Sequence, residues 1–337
     1  MNKVDMRITM ADIARRAGVA RSTVSRALRD DPTIPLKRCE EIKRLAEEAG
    51  YRPNPLVSTL MAQLHKRRRR DDPNCIAWID LWPARAQPPT VVMVKPVLRG
   101  AVARAGELGF EIEVHPVGSV PLHPERLRQI LLARSQWGFI IPAVPQHAKT
   151  FPIDMRGLIG VTIGTSLLEP KLHRVTTNHF QSVKVAWQAL RAKCFQRIAL
   201  ALSPAINERL DGQWLGGYLA AQFTSALDAS IPPLLVSEAE YPRFETWFRE
   251  YRPDAMLLAE PFVAKWSQTL GDQCRARPAI AWLALEPNAK DVWGLDYQAE
   301  LIGAAAVDMV VAQIHRNERG SPAHPHTLLL DSVWTEK

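Results

Sequence analysis

A chain of 337 residues, 47% apolar and 23% charged, can bury a core without a disulfide or metal staple and suits two domains or one domain with two lobes. Its four cysteines form no C-x-x-C pair, no apolar run reaches the ~18 residues of a membrane span, and no apolar leader opens it, which argues against zinc-ribbon, disulfide-framework and membrane classes. The net charge of +8 is held unevenly, residues 1–72 carrying 17 Lys and Arg against 10 Asp and Glu while the remainder carries 26 against 25. A small basic module joined to a large near-neutral one is the electrostatic footprint of a nucleic-acid reader, although charge alone fits a basic tail equally well.

Met10, Ile13, Ala14 and Ala17 fall at i, i+3, i+4 and i+7, the apolar face of a short helix. Gly18 follows, a residue that enters a left-handed turn at little cost. A second helix is predicted over 21–29. Val24, Ala27 and Leu28 share its inner face, and Arg21, Ser22, Ser25, Arg26 and Arg29 fill an outer arc of about 140° without an acid. A third helix carries Cys39, Ile42, Leu45, Ala46 and Ala49 and stops at Gly50. Two helices around a tight turn, braced by a third, make a helix-turn-helix unit whose second helix presents donors outward, as reading base edges in the major groove requires. Any small helical bundle shows such faces, so periodicity alone leaves the plain structural reading open.

The stretch T-M-A-D-I-A-R-R-A-G-V-A-R-S-T-V-S-R-A-L, Thr9 to Leu28, followed by G-Y-R-P-N-P, Gly50 to Pro55, closely resembles the head of the lactose-repressor (LacI/GalR) family of bacterial transcription regulators. The resemblance implies that Arg21, Ser22 and Arg26 face bases of double-stranded DNA. It implies that Thr9, Thr23, Ser25, Arg29, Tyr51 and Asn54 hold phosphates or position the helix. Two positions depart from the family: Ala20 and Pro35 stand where serines commonly cap the second and third helices. Loss of the hydroxyl at Ala20 is expected to cost about 0.5–2 kcal/mol unless another group substitutes.

Asn54 suits a helix cap and Pro55 a first turn, and Leu56, Leu60, Met61 and Leu64 continue at helical spacing. The resemblance makes this a hinge helix that enters the minor groove beside its twin in a homodimer, with Leu60 as the wedge that unstacks a base step. Val57-Ser58 replaces the family's usual Ala-Arg. Lys66 to Arg70 form an unbroken cationic run that either tracks the DNA backbone or solvates a linker, and Asp71-Asp72-Pro73 marks the boundary.

Beyond Cys75, short apolar runs at 76–82, 110–114, 139–144, 158–163, 198–202, 234–236, 256–259 and 280–285 read as strands. Helical patterns at 97–108, 125–133, 183–192, 214–227 and 300–316 fall between them, an alternation that argues for parallel sheets covered by helices. R-G-A at Arg99, Gly109-Phe110, V-T-T-N at Val175, Gly217-Tyr218 and L-I-G-A-A-A-V-D from Leu301 echo family landmarks. They imply a two-lobed, periplasmic-binding-protein-like α/β core behind the all-α head and hinge helix. The expected divisions are a head over 7–53, hinge and basic linker over 54–72, and an effector-binding and dimerisation core over 73–337. Lobe one is expected at about 75–173 plus 292–318, and lobe two at about 174–291 plus 319–337.

The family's small-molecule effector, often a sugar, is expected between these lobes. Trp214 stands where the family often has a ligand-binding arginine, and W-L-A-L from Trp282 replaces a G-[FY]-D-D strand end. All ten tryptophans lie beyond residue 75; Trp78, Trp82, Trp214, Trp282 and Trp293 could stack on a sugar or simply pack. Asp296, in a Gly-Leu-Asp assigned to the following crossover, is a further candidate. No G-x-S-x-G, H-E-x-x-H or G-x-x-x-x-G-K occurs, and His173, His179 and His315 read as surface or helix-end residues. The expectation is a regulator of the cytoplasm without catalytic residues, metal or cofactor. Its alternative is a ligand-independent, architectural DNA binder with a degenerate pocket.

Overall fold

The computed structural model describes residues 8–28, 34–49, 51, 74–82, 91–118, 124–145, 149–225, 230–285, 289 and 291–336. The chain divides into two compact units, Met1–Asp72 and Pro73–Lys337.

In the first unit, α1 (Met10–Ala17), α2 (Arg21–Ala27) and α3 (Leu36–Glu48) enclose a small core of Ile13, Ala14, Val24, Ala27, Cys39, Ile42 and Ala46. Gly18 closes α1 at φ 63°, the left-handed conformation anticipated for it, and its N–H returns to the carbonyls of Ala14 and Arg15. The second helix ends at Ala27, two residues before the predicted limit.

The second unit begins with β1 (Asn74–Asp80), α4 (Val91–Leu108), β2 (Phe110–Pro116), α5 (Pro124–Ala133), β3 (Gly138–Ile141), β4 (Ile159–Ile163) and β5 (His173–Thr177). There follow α6 (His179–Ala192), β6 (Ile198–Leu202), α7 (Pro204–Arg209), α8 (Gln213–Thr224), β7 (Leu234–Leu235), α9 (Tyr241–Tyr251), β8 (Ala255–Leu258), α10 (Pro261–Gln273) and β9 (Ala279–Trp282). The chain closes with β10 (Trp293–Asp296), α11 (Ala299–Arg316), β11 (Thr327–Leu330) and β12 (Val333–Glu336). One sheet has the order β11-β5-β4-β3-β1-β2 and the other β12-β10-β9-β8-β6-β7. Among the described residues, every strand pairing is parallel except that of β10 with β12. The uninterrupted apolar strands G-F-I-I, I-A-L-A-L and A-M-L-L are buried along their whole length, as strands covered on both faces must be.

The lobe limits differ from those expected. β5 lies in the first sheet, not beyond its boundary; β10 lies in the second; and β11 returns to the first. The chain therefore crosses near Asn178, at Tyr297–Gln298 and at Asp331–Ser332. Gly294-Leu295-Asp296, assigned from sequence to a crossover, is β10 itself. These strands are only four or five residues long, and H-R-V-T-T and W-G-L-D carry too little apolar signal to announce a partner sheet.

Two of the sequence landmarks are one contact. α4 and α11 cross on the first sheet, where a Cβ on Gly100 would collide with the Glu300 backbone and one on Gly303 with the Val97 carbonyl. Arg99–Glu300 (2.5 Å) and Arg104–Asp308 (2.7 Å) pair across the same crossing.

Candidate DNA-reading face and inter-lobe cleft

α2 is held by its apolar side. Val24 and Ala27 are fully buried, whereas Arg21, Ser22 and Arg26 are exposed and Thr23 is half-buried. The three residues assigned to bases thus share the helix's outward side, free of packing duties. Ser25 lies in α2, its side chain outside the described atoms; Arg29, Asn54, Leu60 and the run Lys66–Arg70 lie outside the described residues. Thr9 is exposed at the start of α1, and Asp12 accepts from its N–H (2.9 Å) and hydroxyl (2.6 Å). Those two bonds, with the charges of Arg15 and Arg16, hold the Asp12 carboxyl below its usual range. Tyr51 is half-buried against the head core; burial raises its phenol, and the Arg21 charge opposes that shift. Ala20 and Pro35 offer no side-chain cap, as their chemistry requires.

In the second unit, the carboxyl ends of both sheets carry the side chains through which the lobes touch. Lys149 Nζ lies 2.5 Å from Glu208, the Thr165 hydroxyl donates to the Arg209 carbonyl (2.8 Å), and the Arg209 guanidinium sits 5.6 Å from the Trp82 ring centre. Lobe two delivers both of its residues from α7, a short helix launched from β6 by the Ser203 cap. Strand carboxyl ends are where open α/β sheets bind ligands.

Buried polar groups without hydrogen-bond partners occur on α6, α7 and α8 and just beyond β8 and β10. Among the described residues, His179 Nδ1, Asn207 Oδ1 and Glu260 Oε2 have none, and the Trp214 N–H and Tyr297 hydroxyl approach each other without reaching hydrogen-bond geometry. His179, Trp214 and Tyr297 pack edge-on, with ring centres 5.7 and 5.5 Å from the imidazole. Burial pulls His179 down to about 4 and raises Tyr297 well above the ordinary phenol range. It also raises Glu260, whose other oxygen accepts from the Ser203 N–H (2.7 Å). Each buried polar group left unmatched costs about 1–3 kcal/mol, so such a cluster marks a place shaped for an additional partner.

The tryptophan expectations separate. Trp82 stands at the end of β1, its N–H donating to the Ala143 carbonyl (2.7 Å), and Trp214 stands in α8 at 4% exposure. Trp78, 1% exposed in mid-strand, is sealed in the core with Val97 and Ala101, and Trp282 packs on the second-lobe core containing Met256 and Leu258. Both are packing residues rather than cleft walls. Trp293 meets Phe195 edge-on under Lys193, also as packing. Asp296 ends β10 and accepts from the Gln298 N–H (2.8 Å). His173 is buried within β5, contrary to the surface or helix-end reading; His179 is buried but opens α6, a helix end, and His315 is exposed at the end of α11. Sequence reasoning missed Asn207, Arg209, Glu260 and Tyr297; their position after a strand's carboxyl end was the available signal, and it needed the strands to be placed first.

Comparison with known proteins bears on both units. The model of the bacterial regulatory proteins of the lacI family matches residues 9–54. Over 213 residues, 63% of this chain and 57% of the relative, the sequence is 27% identical to the HTH-type transcriptional regulator PtxS of Pseudomonas plecoglossicida. Over 55 residues, 16% of each protein, it is 40% identical to the HTH-type transcriptional regulator AscG of Escherichia coli strain K12. Less than two thirds of either relative's length is matched. Among solved structures, a complex of the transcriptional regulator CelR with cellobiose aligns over 98% of both chains (TM-score 0.54, 18% identity). The lac repressor dimer bound to operator and the anti-inducer ONPF aligns over the same shares (0.52, 17%). A LacI-family regulatory protein from Chloroflexus aggregans aligns over 77% of this chain and 96% of its own (0.56, 16%). At these identities the structural likeness is one of fold.

Proposed function

We propose that this chain, by its head a member of the lacI family of bacterial regulatory proteins, is a sequence-specific DNA-binding transcription regulator of the cytoplasm. It acts as a homodimeric repressor on a palindromic operator, and a small carbohydrate bound between the core lobes controls its affinity. The observation that carries the DNA reading is α2: its apolar side is consumed by the head core, and its outward side offers Arg21, Ser22 and Arg26 with no acid among them. Arginine places a paired donor on guanine and serine serves base or phosphate. Thr9, Thr23, Ser25, Arg29, Tyr51 and Asn54 position the head on the backbone, and Leu60 wedges the minor groove.

The effector reading rests on the unmatched cleft groups. A hydroxyl both donates and accepts, so a polyhydroxylated ring answers the donors of Trp214 and Tyr297 and the acceptors of Asn207 and Glu260; Trp82 and Asp296 remain further candidates. No helix among the described residues is long and apolar enough to cross a membrane. Enrichment of bound DNA from a random pool, repeated with a mixture of sugars, tests both halves: a palindrome should emerge, and its yield should change with sugar. The close ring packing of His179, Trp214 and Tyr297 favours the alternative, a regulator without an effector, and a palindrome indifferent to every sugar would select it.

A further inference from the structure

The head has a fastening that its sequence pattern does not announce. α1 ends at Ala17, and the turn through Gly18, Val19 and Ala20 launches α2. The Gly18 and Val19 N–H groups return to the Ala14 and Arg15 carbonyls, which leaves the Ala17 carbonyl in the last turn without a helical partner. Arg38, from the first turn of α3, reaches it: Nη2 donates to the Ala17 oxygen at 2.7 Å, and Nη1 is held by Glu41 at 2.6 Å. A fixed guanidinium at this place also sets positive charge at the negative end of α1. On the far side of the turn, Ala20 contributes no cap to α2.

Resting on the DNA-binding reading above, we propose that Arg38 is a positioning residue for base recognition: the Arg38–Ala17 bond anchors the α1 end of a turn whose α2 end has no side-chain cap at Ala20, and so fixes the angle at which α2 leaves the turn. Arg38 itself touches no base. An angular error at Gly18–Ala20 displaces Arg21, Ser22 and Arg26 together, so its cost falls on the cognate site, where donors must meet base edges, rather than on random DNA, where phosphates accept from many directions.

The test uses the full chain with Arg38→Ala, Arg38→Lys and Ala20→Ser, alone and combined. Arg38→Ala should lower the ratio of cognate to random-DNA affinity about tenfold while leaving random-DNA affinity and its salt slope unchanged. Ala20→Ser in that background should restore most of the ratio, because a hydroxyl cap re-anchors α2. Arg38→Lys, which keeps one donor, should fall between. Equal losses on both DNAs with a flatter salt slope would make Arg38 a phosphate contact, and a lowered Tm with an unaltered ratio would make it ordinary packing; either result overturns the proposal. Amide exchange in the absence of DNA reads the same link independently of any operator: Val24 and Ala27 should exchange faster in Arg38→Ala and slower again with Ala20→Ser. Unchanged exchange would refute the fastening even if the chain bound no DNA.

Discussion

Arg26 and His179 are two charge-bearing side chains with opposite surroundings, and each has a measurable consequence. Arg26 is exposed on α2, so Arg26→Ala should leave Tm nearly unchanged while weakening cognate binding by about 1–3 kcal/mol and relaxing preference at one base pair. Equal weakening on random duplex would contradict its base-reading role. His179 is 6% exposed and titrates near 4 against an ordinary value of 6.5, because burial penalises the imidazolium. The unfolded chain therefore takes up a proton that the folded chain refuses. The stability involved is fully present above pH 6.5, is lost as pH falls towards 4, and amounts to at most about 3 kcal/mol. Denaturant unfolding of wild type and His179→Gln across that window should show a steeper slope in wild type than in the variant. The outward face of α2 was legible in the sequence because a helix and a glycine turn dictate which side chains face the core. The fate of each tryptophan was not: Trp78 and Trp214 are both buried in one core, whereas Trp82 ends its strand facing Arg209, and the indole alone does not tell them apart.

At the level of elements, the crossing of α4 and α11 is decided by Gly100 and Gly303, each set against the other helix's backbone. Gly303→Ala has no flexible side chain to push aside, so the helices must separate, and a loss of about 1–3 kcal/mol or more is expected as a lowered Tm. Wild-type stability in that variant would show that the helices do not meet this closely. The R-G-A and L-I-G-A-A-A-V-D landmarks were visible in the sequence as patterns, and the crossing gives their physical reason. Gly217-Tyr218 has a similar one: Gly217 lies against the Phe180 carbonyl of α6, and the buried Tyr218 hydroxyl lies 2.8 Å from the Ile231 carbonyl. What the pattern withheld was the sheet membership of β5, β10 and β11. A strand of four or five residues carries too few apolar positions to specify its neighbour.

At the level of the whole molecule, the three crossovers bring their side chains together. Asn178 donates to Asp331 (2.9 Å), the hydroxyls of Ser182 and Ser332 lie 2.9 Å apart, and the Gln298 amide reaches the Asp331 carbonyl at 3.3 Å. A ligand bound between the lobes would therefore act beside the joints that connect them. Titration of the full chain with neutral sugars should change tryptophan fluorescence in wild type and less in Trp214→Phe; a flat response to all of them would favour the effector-free alternative. The charge asymmetry that first separated a basic head from a near-neutral core remains the broadest feature of the chain. Its meaning is tested most directly by the affinity of the purified full chain for its selected palindrome against a scrambled duplex of equal length at physiological ionic strength. A preference of about a thousandfold or more is predicted, and equal affinity for the two would contradict the account.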